Sequence, residues 1–214
     1  IEQILKDQDA NIDLNRLSKF QYIQCANENE LLKSFVDIIS NNYPDIITGY
    51  NVEMFDIPYI TNRIRSKLGE KYAKKLSPWG NVYDKMVRIT VDREELSVKW
   101  DGVSILDYMD LYHTFSYKKL ENKKLDTVAF EELKRRKLSH EYNTFREFYE
   151  KDPYKFTLYN IIDTDIIDEL EEKMQLIHLV ISVAYEAKTN YNDVLSRIAT
   201  WESIIYNFLM SHKV

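Results

Sequence analysis

The sequence has one cysteine, no long run of apolar residues and no excess of positive charge. Because Cys25 has no second cysteine to pair with, a fold held together by internal disulfides is excluded. No stretch resembles a membrane span or a secretory leader, so we expect a soluble protein in a reducing cytoplasm. The net charge of −6 argues against a protein that coats DNA through charge alone. It leaves open an enzyme whose acidic side chains hold metal ions.

The composition is that of an ordinary globular protein. Of the 214 residues, 44% are hydrophobic and 30% are charged, which is enough apolar material for a real core in one or two domains. The sequence opens on Ile1 instead of a methionine and closes on Val214 directly after a helical pattern. We therefore expect a segment of a longer chain.

The segment from Ile46 to Arg63 predicts a buried strand, a sharp turn and a helix. Two isoleucines end the strand, and Gly49 allows the turn. The helix is expected to begin at Pro58, because apolar residues then recur every four positions. Asp56 lies at the joint, where it either caps the helix or is presented as a functional carboxylate.

A second carboxylate lies in a long helical pattern that runs from Tyr154 past Glu172. Tyr159 and Asp163 are four residues apart and so share one face of that helix, either as a functional pair or as part of a solvated surface. The neighbouring acids point elsewhere and are expected to be solvated; they are Asp165, Asp168, Glu169, Glu171 and Glu172.

Further elements follow from local patterns. Residues Phe20–Gln24 alternate as in a strand, and a helix is expected to start near Asn27. The segments Val82–Val91 and Leu96–Leu106 predict a hairpin with its turn at Asp92–Glu95. A last amphipathic helix follows near the end of the chain, and its apolar face needs a cover.

Two motifs in this sequence resemble those of a known family. Asn51, Phe55 and Asp56 match the N-x-x-x-F-D pattern of the second exonuclease motif of family B DNA polymerases, and Tyr159 with Asp163 matches the Y-x-x-x-D of the third. The runs TGYNVEMFDIPYITNRI, DGVSILDYMDLY, YNIIDTDII and TWESIIYNFL are similar, in order and spacing, to the family B polymerases of T-even-type bacteriophages. The resemblance extends from about residue 20 to the end.

The resemblance implies an α/β, RNase H-like (DnaQ-like) exonuclease fold, truncated at its N-terminus, with a β-hairpin insertion and C-terminal helices. Residues 1–176 would form a partial 3′–5′ exonuclease domain, and residues 177–214 a helical segment leading toward the N-terminal domain and the palm. The partners it implies are the 3′ end of single-stranded DNA and the remainder of a polymerase chain, in the cytoplasm of an infected bacterium. It also implies that the hairpin helps to separate primer from template, although a hairpin can equally be scaffolding.

The resemblance also assigns a reaction, the removal of 3′-terminal nucleotides in proofreading. Such hydrolysis suits two divalent ions, Mg²⁺ or Mn²⁺, held by carboxylates from distant segments. Asp56 would help to hold one ion and Asp163 the other, with Tyr159 orienting the attacking water. The residues expected to contact DNA are Asn51, Phe55, Phe115 and Tyr117, although core packing is the alternative for the aromatic residues. Asp107 and Asp110 are expected to support the ligands from behind.

One feature of the family is missing. Its first exonuclease motif is a D-x-E on a buried strand, and no D-x-E occurs in residues 1–40. Two aspartates supply too few anionic ligands for a metal pair, so we expect this chain alone to be inactive or nearly so. The alternatives are a non-catalytic DNA-binding or docking module that complements another polymerase chain, and an unrelated metal-dependent enzyme.

Overall fold

The computed structural model describes Arg16 and residues 20–90, 93–118 and 120–212. The chain folds into two compact units. The first, here called the helical unit, comprises Ile1–Tyr22 and Tyr117–Gln175; the second, the sheet unit, comprises Ile23–Ser116 and Leu176–Val214.

The described residues form a mixed α/β protein with two small sheets. In chain order the elements are α1 (Glu28–Asn41), β1 (Ile46–Gly49), α2 (Asp56–Leu68), α3 (Glu70–Ala73), a 3₁₀ turn (Lys74–Leu76), β2 (Val82–Thr90), β3 (Arg93–Trp100), β4 (Ser104–Asp107), α4 (Tyr108–Phe115), α5 (Leu125–Leu133), α6 (Phe145–Lys151), α7 (Pro153–Met174), α8 (Leu176–Ala187), a 3₁₀ turn (Tyr191–Leu195) and α9 (Arg197–Ser211). Among these residues, no helix is both long and apolar enough to cross a bilayer.

In the sheet unit, β1 and β4 pair in parallel, and β2 and β3 form an antiparallel hairpin. The hairpin was predicted, but the second strand predicted over Leu96–Leu106 is wrong, because it is two strands in two sheets. The break lies at Gly102, whose φ of +89° favours glycine. A Cβ added there would lie 2.4 Å from Cγ of Pro78, so the close turn depends on the missing side chain. Asp92, in the predicted turn, lies outside the described residues.

The core of the sheet unit lies between helices α1 and α2 and the two small sheets. Val36, Ile64 and Val98 are fully buried there. Trp100 is buried beside them, and its indole Nε1 donates a hydrogen bond to Oγ1 of Thr61 at 3.0 Å. The indole N–H of Trp100 is therefore paired, and this matters because a buried N–H without a partner destabilises the fold.

Local sequence signals predicted several helices correctly and two strands wrongly. The helix expected near Asn27 is confirmed, since the Asn27 side chain accepts from the Glu30 N–H at 3.0 Å and caps α1. Helix α2 begins two residues before Pro58. The strand predicted over Phe20–Gln24 is absent, because these residues pair with no strand in the described part of the chain and their large apolar side chains are exposed.

In the helical unit, α7 packs on α5 and α6. The prediction that Asp165 is solvated is wrong, since this α7 residue is only 2% exposed. Its carboxylate binds Arg135 at 2.8 Å and Arg16 at 2.7 Å. These arginines come from distant segments, so helical spacing alone could not show that two cations would cover this face.

Candidate functional site

Asp56 is the first residue of α2, directly after the turn that leaves β1. Its carboxylate is exposed, and partial removal of water raises its pKa, with a smaller opposing effect from its own backbone N–H. No side chain caps this helix from the preceding position, Phe55. An acid in the first turn is favoured by the helix dipole, and it is still open to solvent and to a cation.

The turn that carries Asp56 is held by a buried carboxylate. Asp107, at the end of β4, is 2% exposed and accepts backbone N–H groups from Asn51 at 2.9 Å, Glu53 at 3.2 Å and Met109 at 3.0 Å. Burial raises the pKa of Asp107 to about 6, although the three N–H donors oppose this shift. Asp107 thus ties the loop after β1 to the start of α4.

Asn51 and Phe55 lie on the same loop as Asp56. Asn51 adopts a left-handed backbone conformation with φ of +62°, which asparagine tolerates better than most residues. Phe55 is 63% exposed, and its ring lies nearly parallel to that of Tyr59, with centroids 6.2 Å apart. Tyr59 was not predicted as a site residue, although it lies one helical turn beyond Phe55. Together they present an aromatic surface next to an acid.

The remaining predicted residues have varied surroundings. Asp110 is exposed in the first turn of α4, and Phe115 is half-buried at the end of that helix. Tyr117 is the first residue of the second segment of the helical unit and is fully exposed. Of these, only Tyr117 presents a whole ring to solvent.

In the helical unit, Tyr159 and Asp163 share one face of α7, as predicted. Both contact Lys137, whose ammonium lies 2.6 Å from Oδ2 of Asp163 and 4.9 Å from the centre of the Tyr159 ring. Lys137 was missed in the sequence because it precedes Asp163 by many residues and has no spacing relation to it. The second carboxylate oxygen of Asp163, Oδ1, is buried and has no hydrogen-bond partner among the described residues.

The charge on Asp163 depends on this lysine. Burial raises the pKa of Asp163, while Lys137 and, to a smaller degree, Tyr159 oppose the rise. The pKa of Lys137 is raised in turn, because its contacts with Asp163 and Tyr159 outweigh the effect of its own burial. An ionised carboxylate with one oxygen unsatisfied is a suitable ligand for a hard divalent cation.

Aromatic neighbours fix the Tyr159 ring. It meets the rings of His140 and Phe148 edge-on, with centroids 5.6 and 5.9 Å away. His140 itself stacks on Phe148 at 4.6 Å. A tyrosine packed this way presents its hydroxyl in a restricted direction.

The predicted ligands are divided between the units, Asp56 in the sheet unit and Asp163 in the helical unit. Within the ranges that the structure describes, no three or more His, Cys, Asp or Glu side chains are grouped so that they could hold a metal. A shared pocket for Asp56 and Asp163 therefore stays a prediction.

Comparison with known proteins decides the family. The profile of "DNA polymerase family B, exonuclease domain" matches residues 3–128, more than half of the chain. This chain belongs to the family B DNA polymerase exonuclease domains. It is 37% identical over 199 residues to a DNA-directed DNA polymerase of Enterobacteria phage T4 and 36% identical over 193 residues to that of Escherichia phage RB69. These matches cover 92% and 90% of this chain, but only 22% and 21% of the relatives, so the chain spans about a fifth of their length.

The family match covers only part of the candidate site, whereas the polymerase matches cover all of it. Asp56 lies inside the exonuclease-domain match, whereas Tyr159 and Asp163 lie beyond its end at residue 128. The match to the phage T4 polymerase covers 92% of this chain and must include Tyr159 and Asp163, because these residues are far from either terminus. A DNA polymerase delta catalytic subunit of Plasmodium falciparum is also similar, at 26% identity over 220 residues. Membership of the exonuclease-domain family thus agrees with the two motifs that the sequence showed.

Proposed function

We propose that this chain carries part of a 3′–5′ exonuclease site that removes terminal nucleotides from single-stranded DNA during proofreading by a replicative polymerase. The observation that carries the proposal is the Asp163 carboxylate, which has one oxygen on Lys137 and the other buried without a partner among the described residues. The exposed Asp56 at the start of α2 supplies the second acid. Membership of the exonuclease-domain family supports the reaction class.

The fold proposed for this activity is the RNase H-like (DnaQ-like) one, with residues 1–176 as a partial exonuclease domain and residues 177–214 as a helical segment toward the rest of a polymerase. The parallel pair β1 and β4 supports it, because β4 ends at Asp107 and the loop after β1 leads to Asp56. Gly49 pairs with Asp107 in the register, so the loop to Asp56 and the start of α4 leave the sheet at one edge. Loops at that edge are where an α/β protein places its site.

In the proposed site Asp56 and Asp163 each help to hold one of two divalent ions, Mg²⁺ or Mn²⁺. The ions would neutralise the scissile phosphate and provide a nucleophilic water at neutral pH. Burial raises the pKa of Asp163, and the contact with Lys137 opposes this rise and so favours the ionised form of the carboxylate. Tyr159 is held rigidly enough by its aromatic neighbours to orient the attacking water.

DNA would be held at its 3′ end by aromatic and polar side chains. Phe55 lies beside Asp56 and, with Tyr59, can stack on an unpaired base, while Asn51 can bond to it. Phe115 and Tyr117 are proposed as further contacts to the strand. Asp107 and Asp110 are proposed to support the residues that hold the ions and the strand.

Two aspartates do not satisfy two divalent ions, so we propose that further acids complete the site and that this chain alone hydrolyses little DNA. The test is a fusion in which the D-x-E segment of a family B polymerase is added to the N-terminus of this chain. The fusion and the chain are each incubated with Mn²⁺ and a 3′-labelled single strand. We expect release of labelled nucleotide by the fusion and little by the chain.

Variants of the fusion separate a genuine site from a contaminating nuclease. Asp56→Ala and Asp163→Ala should each abolish release, whereas Asp168→Ala, an exposed acid on the same helix as Asp163, should not. If the fusion is no more active than the chain, or if the Asp56 and Asp163 variants keep full activity, the exonuclease proposal is wrong.

One observation favours the docking module as a second candidate. No residue of α9 is buried, and its exposed apolar side chains include Ile198, Trp201, Ile205 and Phe208. Such a face needs a cover, and another part of a polymerase would provide one. This candidate gains if the fusion is inactive and the chain binds a polymerase that lacks its own exonuclease region.

A further inference from the structure

The sheet unit contains a large cleft made by residues other than those of the proposed nuclease site. Its volume is about 730 Å³, within the range of about 300–1,000 Å³ that ligand pockets span. It lies at the base of the β2–β3 hairpin, against the end of α8 and the loop that follows. We call it the hairpin-base cleft and define it by Trp79, Tyr83, Lys85, Tyr185 and Lys188.

The aromatic residues of the cleft are exposed on a rigid frame. Trp79 is 76% exposed, yet the turn that carries it is clamped. Oγ of Ser77 accepts the N–H groups of Trp79 at 3.1 Å and Asn81 at 3.2 Å, and it donates to the carbonyl of Asp101 at 2.6 Å. Gly102 lets this turn approach, because a Cβ there would lie 2.4 Å from Cγ of Pro78, the residue before Trp79. The indole is therefore held in place without being covered.

A second aromatic residue comes from another element. Tyr185, near the end of α8, is 78% exposed and lines the cleft. Tyr83, on β2, is 41% exposed, and its hydroxyl interacts with Asp101, which helps to raise the pKa of the phenol after the larger effect of burial. Exposed rings on fixed backbone offer π-faces to a flat ligand at little cost in conformational entropy.

The cleft also offers ammonium groups to a phosphate. Lys85 and Lys188 are exposed and have no ion-pair partner among the described residues. Two acids, Asp101 and Asp193, also line the cleft and keep their charge; each is held in place by a side-chain amide, Asp101 by Asn81 and Asp193 by Asn190. Unpaired ammonium groups next to exposed rings suit a ligand that carries both phosphates and planar bases.

We propose that the hairpin-base cleft binds a stretch of unpaired single-stranded DNA, with bases stacked on Trp79 and Tyr185 and phosphates near Lys85 and Lys188. This strand contact is additional to the nuclease site, and it rests on the proposed function only in taking DNA as the partner. It places an unpaired strand at the base of the hairpin.

The test measures binding without catalysis. A fluorescein-labelled oligo(dT) of roughly eight nucleotides, a length within the usual site sizes, is titrated with the chain in EDTA, and anisotropy is recorded at several salt concentrations. We expect Trp79→Ala to weaken binding by at least about fivefold, the loss of one stacked base. Lys188→Gln should lower the slope of log affinity against log salt by about 0.7, the value for one phosphate of a single strand.

Matched controls separate the cleft from general surface effects. Trp201→Ala removes an exposed indole on α9, and Lys33→Gln removes an exposed ammonium on α1; both should leave affinity and salt slope unchanged. Because Trp79 is mostly exposed, its removal should not alter thermal unfolding, which circular dichroism checks.

Three results would overturn the proposal. They are absence of binding by the unaltered chain, equal binding by the cleft variants and the controls, and competition by dTMP as strong as that by the strand. The chelator stops metal-dependent hydrolysis, so a failed exonuclease assay with Mn²⁺ leaves this outcome unaffected, and the two proposals fail separately.

Discussion

The buried Asp107 carboxylate should make the protein more stable in mild acid than at neutral pH, relative to Asp107→Asn. Burial raises the pKa of this group from an ordinary 3.8 to about 6 in the folded protein. A folded-state pKa above the unfolded value means that the contribution to stability is complete below about pH 4 and is lost as the pH rises through about 6. A shift of about 2 units corresponds to about 3 kcal/mol.

The assay is urea unfolding of the unaltered chain and of Asp107→Asn, followed by circular dichroism at a series of pH values from about 4 to about 7. Subtracting the two free energies of unfolding cancels the titration of every other group. As the pH rises, we expect the free energy of unfolding of the unaltered chain to fall by about 3 kcal/mol relative to that of Asp107→Asn. A constant difference, or one that moves the other way, would refute the reasoning. It would mean that the three backbone N–H donors outweigh the burial of the charge.

Three further predictions concern contacts seen only in the folded chain. Lys137→Met should raise the pKa of Asp163 further, since the ammonium now opposes the effect of burial; carbon-detected NMR titration of the carboxyl group measures it. Gly102→Ala should lower the free energy of unfolding by about 1–3 kcal/mol or more, because its φ is +89° and the new methyl would meet a proline ring; urea unfolding tests this. Arg135→Met should cost about 3–5 kcal/mol in the same assay by leaving Asp165 buried with one partner fewer, and an unchanged midpoint would contradict it.

Local patterns in the sequence were sufficient for several of the helices and for one half of the candidate site. The cap at Asn27, the long helix around Asp163 and the shared face of Tyr159 and Asp163 follow from contacts between residues three or four positions apart. Such contacts are present in any chain with that spacing, so they can be predicted without coordinates. The N-x-x-x-F-D and Y-x-x-x-D motifs are also short-range patterns, and they indicated the family.

Strand limits and side-chain partners could not be predicted this way. The close turn at Gly102 depends on Pro78, which precedes β2 in the chain. Apolar residues occur on both sides of the break, so the sequence alone predicted one strand where there are two. The exposed residues Phe20–Gln24 had the alternation of a strand but no partner strand to pair with.

The sequence by itself determined the family, the α/β composition of short strands and amphipathic helices, and which acids are candidates for metal. Only the tertiary structure decided what each acid contacts: Lys137 on Asp163, backbone N–H groups on Asp107, and two arginines on Asp165. The physical reason is that the charge state of a carboxylate depends on burial and on nearby cations. Both are set by segments that are distant in the sequence and meet only when the chain folds.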